Sequence, residues 1–179
     1  MTTFNCPSFI EEFKNYVLSL EGAKSILEVG ALSGELMDAV GADGIDLAPQ
    51  REDVRQGDIR KLSSLPQFKG KYDLVFSSGL IEHYSEEDAI KVLKGMAKAS
   101  NKYVLTYAPN TNCTAYINAK AKTKAEWKDE LDFTPETLAE LHEKAGLTVI
   151  DKGISAAEWA KRFGPENSEG YLVCVLASK

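Results

Sequence analysis

The chain is poor in the residues that build metal centres and disulfide frameworks. Its 179 residues include three cysteines, Cys6, Cys113 and Cys174, and two histidines, His83 and His142. The cysteines are odd in number, widely spaced and without a Cys-x-x-Cys pair, so neither a zinc site nor a disulfide scaffold is supported. Reduced thiols fit an intracellular setting. Positive charge is also scarce, with 21 Lys and Arg against 27 Asp and Glu and a net charge of −6. Nucleic-acid binding depends on clustered cations, so this balance weighs against such a partner. Lys120, Lys122, Lys124 and Lys128 form one local basic stretch, which a solvated helix face explains. No apolar run approaches the ~18 residues of a membrane span. Glu11 and Glu12 stand where a secretory signal would carry its apolar segment. The expectation is a soluble cytoplasmic protein with no membrane partner; its oligomeric state is left open.

What is present is an alternation of short apolar runs with helical patterns. Phe9, Ile10, Phe13, Val17 and Leu20 fall on one face of a helix over Ser8 to Leu20, and Gly22 ends it. Strands are expected at Ser25 to Val29, Ile45 to Leu47, Val54 to Gln56, Tyr72 to Ser77, Lys102 to Tyr107, Leu147 to Asp151 and Tyr171 to Ala177. Helices are expected over Ser33 to Val40, from a Ser85 cap to about Ala99, from the Thr134-Pro135 start to Gly146, and near Ser155 to Arg162. Between Asp46 and Gly57 too few residues remain for a full crossover helix, so a loop or single turn belongs there. Residues 110–133 read as irregular or weakly helical. The pattern predicts one α/β domain over residues 1–179, with a mostly parallel sheet and helices on both faces. Residues 1–22 make its N-terminal helix.

The most informative stretch is Ser25-Ile-Leu-Glu-Val-Gly-Ala-Leu-Ser-Gly34 with Gly44-Ile-Asp-Leu47 after it. It reads as a buried strand, a glycine turn, a short helix and a second strand ending on an acid. Gly30 and Gly34 allow a ligand close to the backbone, and Asp46 suits the two hydroxyls of a ribose. Right-handed crossovers bring Glu28, Asp46, Asp58 and Ser77 to one edge of the sheet. A dinucleotide fingerprint is excluded, because Leu32 and Glu35 occupy the later glycine positions counted from Gly30. Gly22-Ala-Lys-Ser25 lacks the upstream glycine of a P-loop and precedes the first strand.

These motifs, in this order, resemble the class I S-adenosylmethionine-dependent methyltransferases, over about Ser25 to Ser178. Glu28-Val-Gly-Ala-Leu-Ser-Gly34 is similar to the first motif of the family. Gly44-Ile-Asp46-Leu47 resembles the second and Gln56-Gly-Asp58-Ile59 the third. Tyr72 to His83 resembles the fourth motif of small-molecule members, and Phe133 to Leu147 has the look of a late element of the fold. The resemblance implies a Rossmann-like sheet of about seven strands with the last one antiparallel, and S-adenosylmethionine as cofactor. By that likeness Gly30, Ala31 and Gly34 lie under the cofactor and Glu28 sets its amino-acid end. Asp46 accepts from the ribose and Leu47 covers the adenine. Asp58 and the Ile59 amide meet the adenine edge. The Ser77 carbonyl meets the ammonium, with Ser78 and Leu80 beside it. Leu32 stands where the family usually has its middle glycine, which narrows the room under the cofactor.

In methyl transfer the cofactor carries the chemistry and the protein supplies alignment. A base is needed only when the acceptor must lose a proton, and His83 is the side chain placed for it. Glu82-His83 is part of a metal-binding pattern in some members, but Gly79 occupies the place of its first acid, so no metal is expected. His142, beside Glu140 and Glu143, reads as a surface residue. Neither an Asn-Pro-Pro-Tyr type motif nor a Pro-Cys nucleophile is present. The acceptor is therefore expected to be a small molecule rather than DNA or RNA. Residues 110–133, with Tyr116 and Trp127, are either a lid over that acceptor or a surface connection. The alternative to an active enzyme is a non-catalytic, cofactor-binding or accessory protein with the same fold.

Overall fold

A computed structural model describes residues 6–122, 129–163 and 169–179. The positions Lys124, Trp127 and Lys128 lie outside them. A seven-stranded sheet runs in the order β3-β2-β1-β4-β5-β7-β6. The strands are β1 Ile26–Val29, β2 Asp43–Asp46, β3 Val54–Gln56, β4 Tyr72–Ser78, β5 Ser100–Pro109, β6 Thr148–Ser155 and β7 Leu172–Ser178. β1 to β5 pair in parallel, and β7 lies antiparallel between β5 and β6. This is the Rossmann-like sheet expected from the sequence, with the last strand reversed.

Two apolar layers sandwich the sheet. On one side helix α1 (Pro7–Ser19) lays Phe9, Phe13 and Val17 against Leu74, Phe76, Leu105 and Tyr107. The Phe13 and Phe76 rings sit 4.8 Å apart between centroids. On the other side α3 (Glu86–Ala99) and α5 (Pro135–Lys144) pack Val92, Leu93, Met96, Leu138 and Leu141 over Val75 and Val104. Alternate residues of β4 therefore serve opposite layers, as strand geometry dictates. The short α2 (Glu35–Val40) follows the β1 turn, α4 is Thr114–Lys122, and α6 is Ala157–Ala160.

The helix starts follow local hydrogen bonding. Ser85 Oγ accepts from the Asp88 amide at the head of α3, and Thr134 and Thr137 cap each other at the head of α5. No helix forms between Asp46 and Val54, as the residue count demanded. Some boundaries differ from the sequence reading. β2 ends at Asp46 rather than Leu47, and β6 continues to Ser155 because pairing with β7, not its own apolar pattern, holds it. Residues 114–122 are a regular helix inside the 110–133 segment.

His142 requires a correction. It is not on the surface but fully buried in α5. Its Nδ1 donates to the Leu138 carbonyl at 2.8 Å, which leaves Nε2 to accept from the Thr106 hydroxyl at 3.0 Å. Both ring nitrogens are satisfied in the neutral form. Burial pushes the imidazole down to about 4, against the weaker opposing effect of the Leu138 bond.

Candidate cofactor and acceptor site

The parallel pairing of β3, β2, β1 and β4 brings their carboxyl ends side by side. Ligands of open α/β sheets bind at such an edge. The β1 turn is built on three residues with positive φ: Gly30 at 81°, Leu32 at 34° and Gly34 at 76°. For leucine this conformation costs of order 1–3 kcal/mol, and Asp46 opposes that cost. Asp46 Oδ2 accepts from the Leu32 amide at 3.0 Å, while Oδ1 accepts from the Ala48 amide at 2.7 Å. The Gln50 amide then donates to the Leu32 carbonyl, and the amides of Gly30 and Ala31 both reach the Ile45 carbonyl. The turn and the β2 end are one hydrogen-bonded unit. Each Asp46 oxygen still has a lone pair for an incoming hydroxyl.

A Cβ at Gly30 would lie 2.8 Å from Leu80 Cδ1, so Leu80, from the β4 end, rests on the bare backbone of the turn. At Gly34 the same atom would meet Arg51 Nη1 at 2.8 Å. Arg51 spans Asp38 and Asp53 at 2.6 Å each and so clamps the outer side of the turn. Leu47, directly after Asp46, leaves an apolar side chain 53% exposed at this edge.

Beneath the turn, Glu28 is buried and its Oε2 has no hydrogen-bond partner. Burial pushes its carboxyl up to about 8, with the charges of Glu35 and Asp46 adding and a bond from the Met37 backbone opposing. Ser77 and Ser78 close β4, and the hydroxyls of both are buried without partners. The Gly57 amide donates to the Asp46 carbonyl, which brings the β3 end to the same edge. Asp58 accepts there from Arg60, through Oδ1 at 2.9 Å and Oδ2 at 3.0 Å. The Arg60 guanidinium holds its carboxyl below the ordinary range. The Ile59 side chain faces the core, so only its backbone is offered to the edge. A cavity of about 200 Å³ between β3 and Phe68 reaches Asp58 but none of the β1 and β4 positions.

His83 lies in the 3-10 turn Ile81–His83, three residues beyond Leu80. Its side chain is 52% exposed, with Nδ1 3.0 Å from Glu130 Oε1 and Nε2 4.0 Å from Glu82 Oε1. Glu130 Oε2 accepts from the Tyr116 hydroxyl at 3.1 Å. Glu82 is buried, and burial pushes it up to about 8. The charge of Glu130 adds to that shift, while a backbone hydrogen bond and the charge of Lys120 oppose it. Among the described residues no group of three His, Cys, Asp or Glu could hold a metal ion, and no helix is long and apolar enough to cross a membrane.

All the residues singled out from the sequence on β1 to β4 thus stand along one sheet edge. Three contributors were not foreseen. Arg51 and Arg60 gave no pattern, and Glu130 comes from a segment remote in sequence, the 110–133 stretch in which Tyr116 stands out. Adjacent Glu82-His83 after an apolar strand was the one available signal for the acceptor end.

Comparison with solved structures agrees with the topology. The chain is similar to a SAM-dependent methyltransferase of Archaeoglobus fulgidus, 18% identical with a TM-score of 0.67 over 95% of this chain and 92% of that one. It is also similar to a Thermotoga maritima structure described as a SAM-dependent methyltransferase, possible histamine N-methyltransferase, at 17% identity and a TM-score of 0.72 over 96% and 90%. The fold is the class I methyltransferase fold. Magnesium protoporphyrin IX methyltransferase of Synechocystis PCC 6803 with bound SAH shares it, at 13% identity and a TM-score of 0.64 over 95% of this chain and 81% of that one. No protein-family model and no curated protein matches the sequence. In the methyltransferase fold the β1 turn and the ends of β2 to β4 are contiguous here, and the sequence resemblance assigned its motifs to those same segments.

Proposed function

We propose that this protein is an S-adenosylmethionine-dependent methyltransferase acting on a small molecule. One observation carries the reading. The partnerless buried carboxyl of Glu28, the positive-φ turn at Gly30 with Leu80 packed on it, the rigid Asp46 carboxylate and Asp58 follow one another along a single edge. An orphaned carboxyl suits a cationic ammonium, and a fixed carboxylate with spare lone pairs suits vicinal hydroxyls. The chemistry of this edge fits S-adenosylmethionine.

When bound, that cofactor supplies an activated methyl group. Gly30, Ala31 and Gly34 would shape the turn beside it, with Leu32 and Leu80 as apolar walls. Asp46 accepts from the ribose hydroxyls and Leu47 covers the adenine. Asp58 and the Ile59 amide address the adenine edge. Glu28 and the carbonyl of Ser77, next to Ser78, receive the ammonium. His83 takes the acceptor's proton through its exposed ring edge. Correct alignment alone is worth about 7–11 kcal/mol of barrier, and a positioned base adds about 10²–10⁴-fold.

Incubation of the pure protein with methyl-labelled S-adenosylmethionine and a metabolite extract tests this reading. Label is expected in a compound of low molecular mass, with a His83→Ala variant slower by at least tenfold. Cofactor binding with no label in any fraction would favour the non-catalytic alternative.

A further inference from the structure

His83 stands between two buried carboxyls, and the proposed reaction has so far used only the imidazole. The Glu82 and Glu130 side chains are 3% and 5% exposed, whereas the ring between them is half exposed. Glu130 is held in place. Its second oxygen takes the Tyr116 hydroxyl, and the neighbouring Leu131 amide donates to the Glu82 carbonyl at 2.8 Å. That bond ties the 129–133 segment to the turn after β4. Glu82 is different, because its Oε2 has no hydrogen-bond partner. A buried carboxyl left so costs free energy until a cation or donor arrives. The Lys120 ammonium, which binds Asp132 Oδ1 at 2.9 Å and the Glu130 carbonyl at 3.3 Å, eases the burial of Glu82 through its charge but makes no hydrogen bond to Oε2. The carboxyl that carries this vacant Oε2 places its other oxygen, Oε1, 4.0 Å from Nε2 of the half-exposed His83.

We propose that the methyl acceptor is a small amine, bound as its ammonium between Glu82 and Nε2 of His83, with Glu130 as the positioning residue for the imidazole. This rests on the methyltransferase reading above. A carboxylate 3.0 Å from Nδ1 favours the tautomer that carries its proton there, which leaves the Nε2 lone pair on the Glu82 side. One N–H bond of the ammonium breaks, its electron pair stays on nitrogen, and the proton passes to Nε2. The imidazolium so formed is balanced by Glu130, and the neutral amine has the lone pair that methylation requires. An alcohol of the same shape brings Glu82 no charge, so the site discriminates against it.

The test uses the protein saturated with S-adenosylhomocysteine and titrated by NMR. The probes are butylamine, 2-phenylethylamine and 1,4-diaminobutane, each beside 1-butanol, 2-phenylethanol or 1,4-butanediol. At least one amine is expected to bind tenfold or more tightly than its alcohol and to shift the His83 ring resonances. Glu82→Gln is expected to abolish that preference without changing S-adenosylhomocysteine affinity. Glu130→Gln is expected to move the His83 ring toward its Nε2–H tautomer, read from imidazole nitrogen shifts. No amine preferred over its alcohol, or a preference that survives Glu82→Gln, would overturn the proposal while cofactor binding stands. Should that variant not fold, the wild-type comparison decides alone. Absence of S-adenosylhomocysteine binding would instead remove the methyltransferase reading itself, and the amine site with it.

Discussion

Replacing Asp46 by alanine is expected to weaken S-adenosylmethionine binding by about 100-fold or more. Each hydrogen bond to a charged group is worth about 1.5–3 kcal/mol. Loss of two ribose contacts therefore exceeds about 2.7 kcal/mol, the equivalent of 100-fold. The same substitution removes the acceptor for the Leu32 and Ala48 amides, both at a partly exposed edge. On the same scale these two bonds carry a cost in folding stability of comparable size, reduced by the exposure of the edge, so the two losses are measured separately. Asp46→Asn is the intermediate case. Its single oxygen can serve only one of the Leu32 and Ala48 amides. Its NH2 opposes the other and offers a donor where the second ribose hydroxyl would donate, so binding and the turn both weaken. Calorimetric affinities of the three proteins beside their urea midpoints measure both quantities. Unchanged affinity in the alanine variant would remove the ribose assignment.

The second large effect is on stability in acid. His142 has a folded pKa near 4, below the ordinary histidine value of 6.5. Between those values the unfolded chain binds a proton that the folded one does not. Stability then rises with pH, so it is lost as pH falls from about 6.5 through 4. The amplitude is about 3 kcal/mol. Glu28 and Glu82 act in the opposite sense, because their folded pKa values are raised to about 8. The fold then holds protons that the unfolded chain releases above about 4.5, and their contribution fades as pH rises toward 8. Comparison with His142→Gln isolates the histidine. The stability of the native protein relative to the variant is expected to fall by about 3 kcal/mol between pH 7 and pH 4. A pH-independent difference would mean that His142 is not buried neutral.

Much of this was legible in the sequence, for identifiable reasons. β1 and β4 are apolar runs buried along most of their length, and such runs bounded by turn residues have few alternatives. Thr134-Pro135 announces α5 because cap and proline act locally. Where long-range contacts decide, the reading failed. His142 was judged by its neighbours Glu140 and Glu143, yet it falls one helical turn after Leu138 on the buried stripe, and that spacing was the available signal. β6 has a largely exposed pattern and is long only because β7 pairs with it. The contact of Glu130 with His83 joins segments far apart in the chain, which no local pattern encodes. At the cofactor edge the acids and glycines were legible because motif order places them. The clamps of Arg51 on Asp38 and of Arg60 on Asp58 depend on rotamers that residue order does not reveal.

Calorimetric titration of the folded protein with S-adenosylmethionine and S-adenosylhomocysteine near neutral pH tests the central claim most directly. One-to-one binding of both is expected. It should release a proton, because a cationic ammonium beside Glu28 converts a carboxyl with a pKa of about 8 to its ionised form. The release is read as a heat that varies with the ionisation enthalpy of the buffer. No binding of either compound to the folded protein would contradict the claim that this sheet edge holds the cofactor.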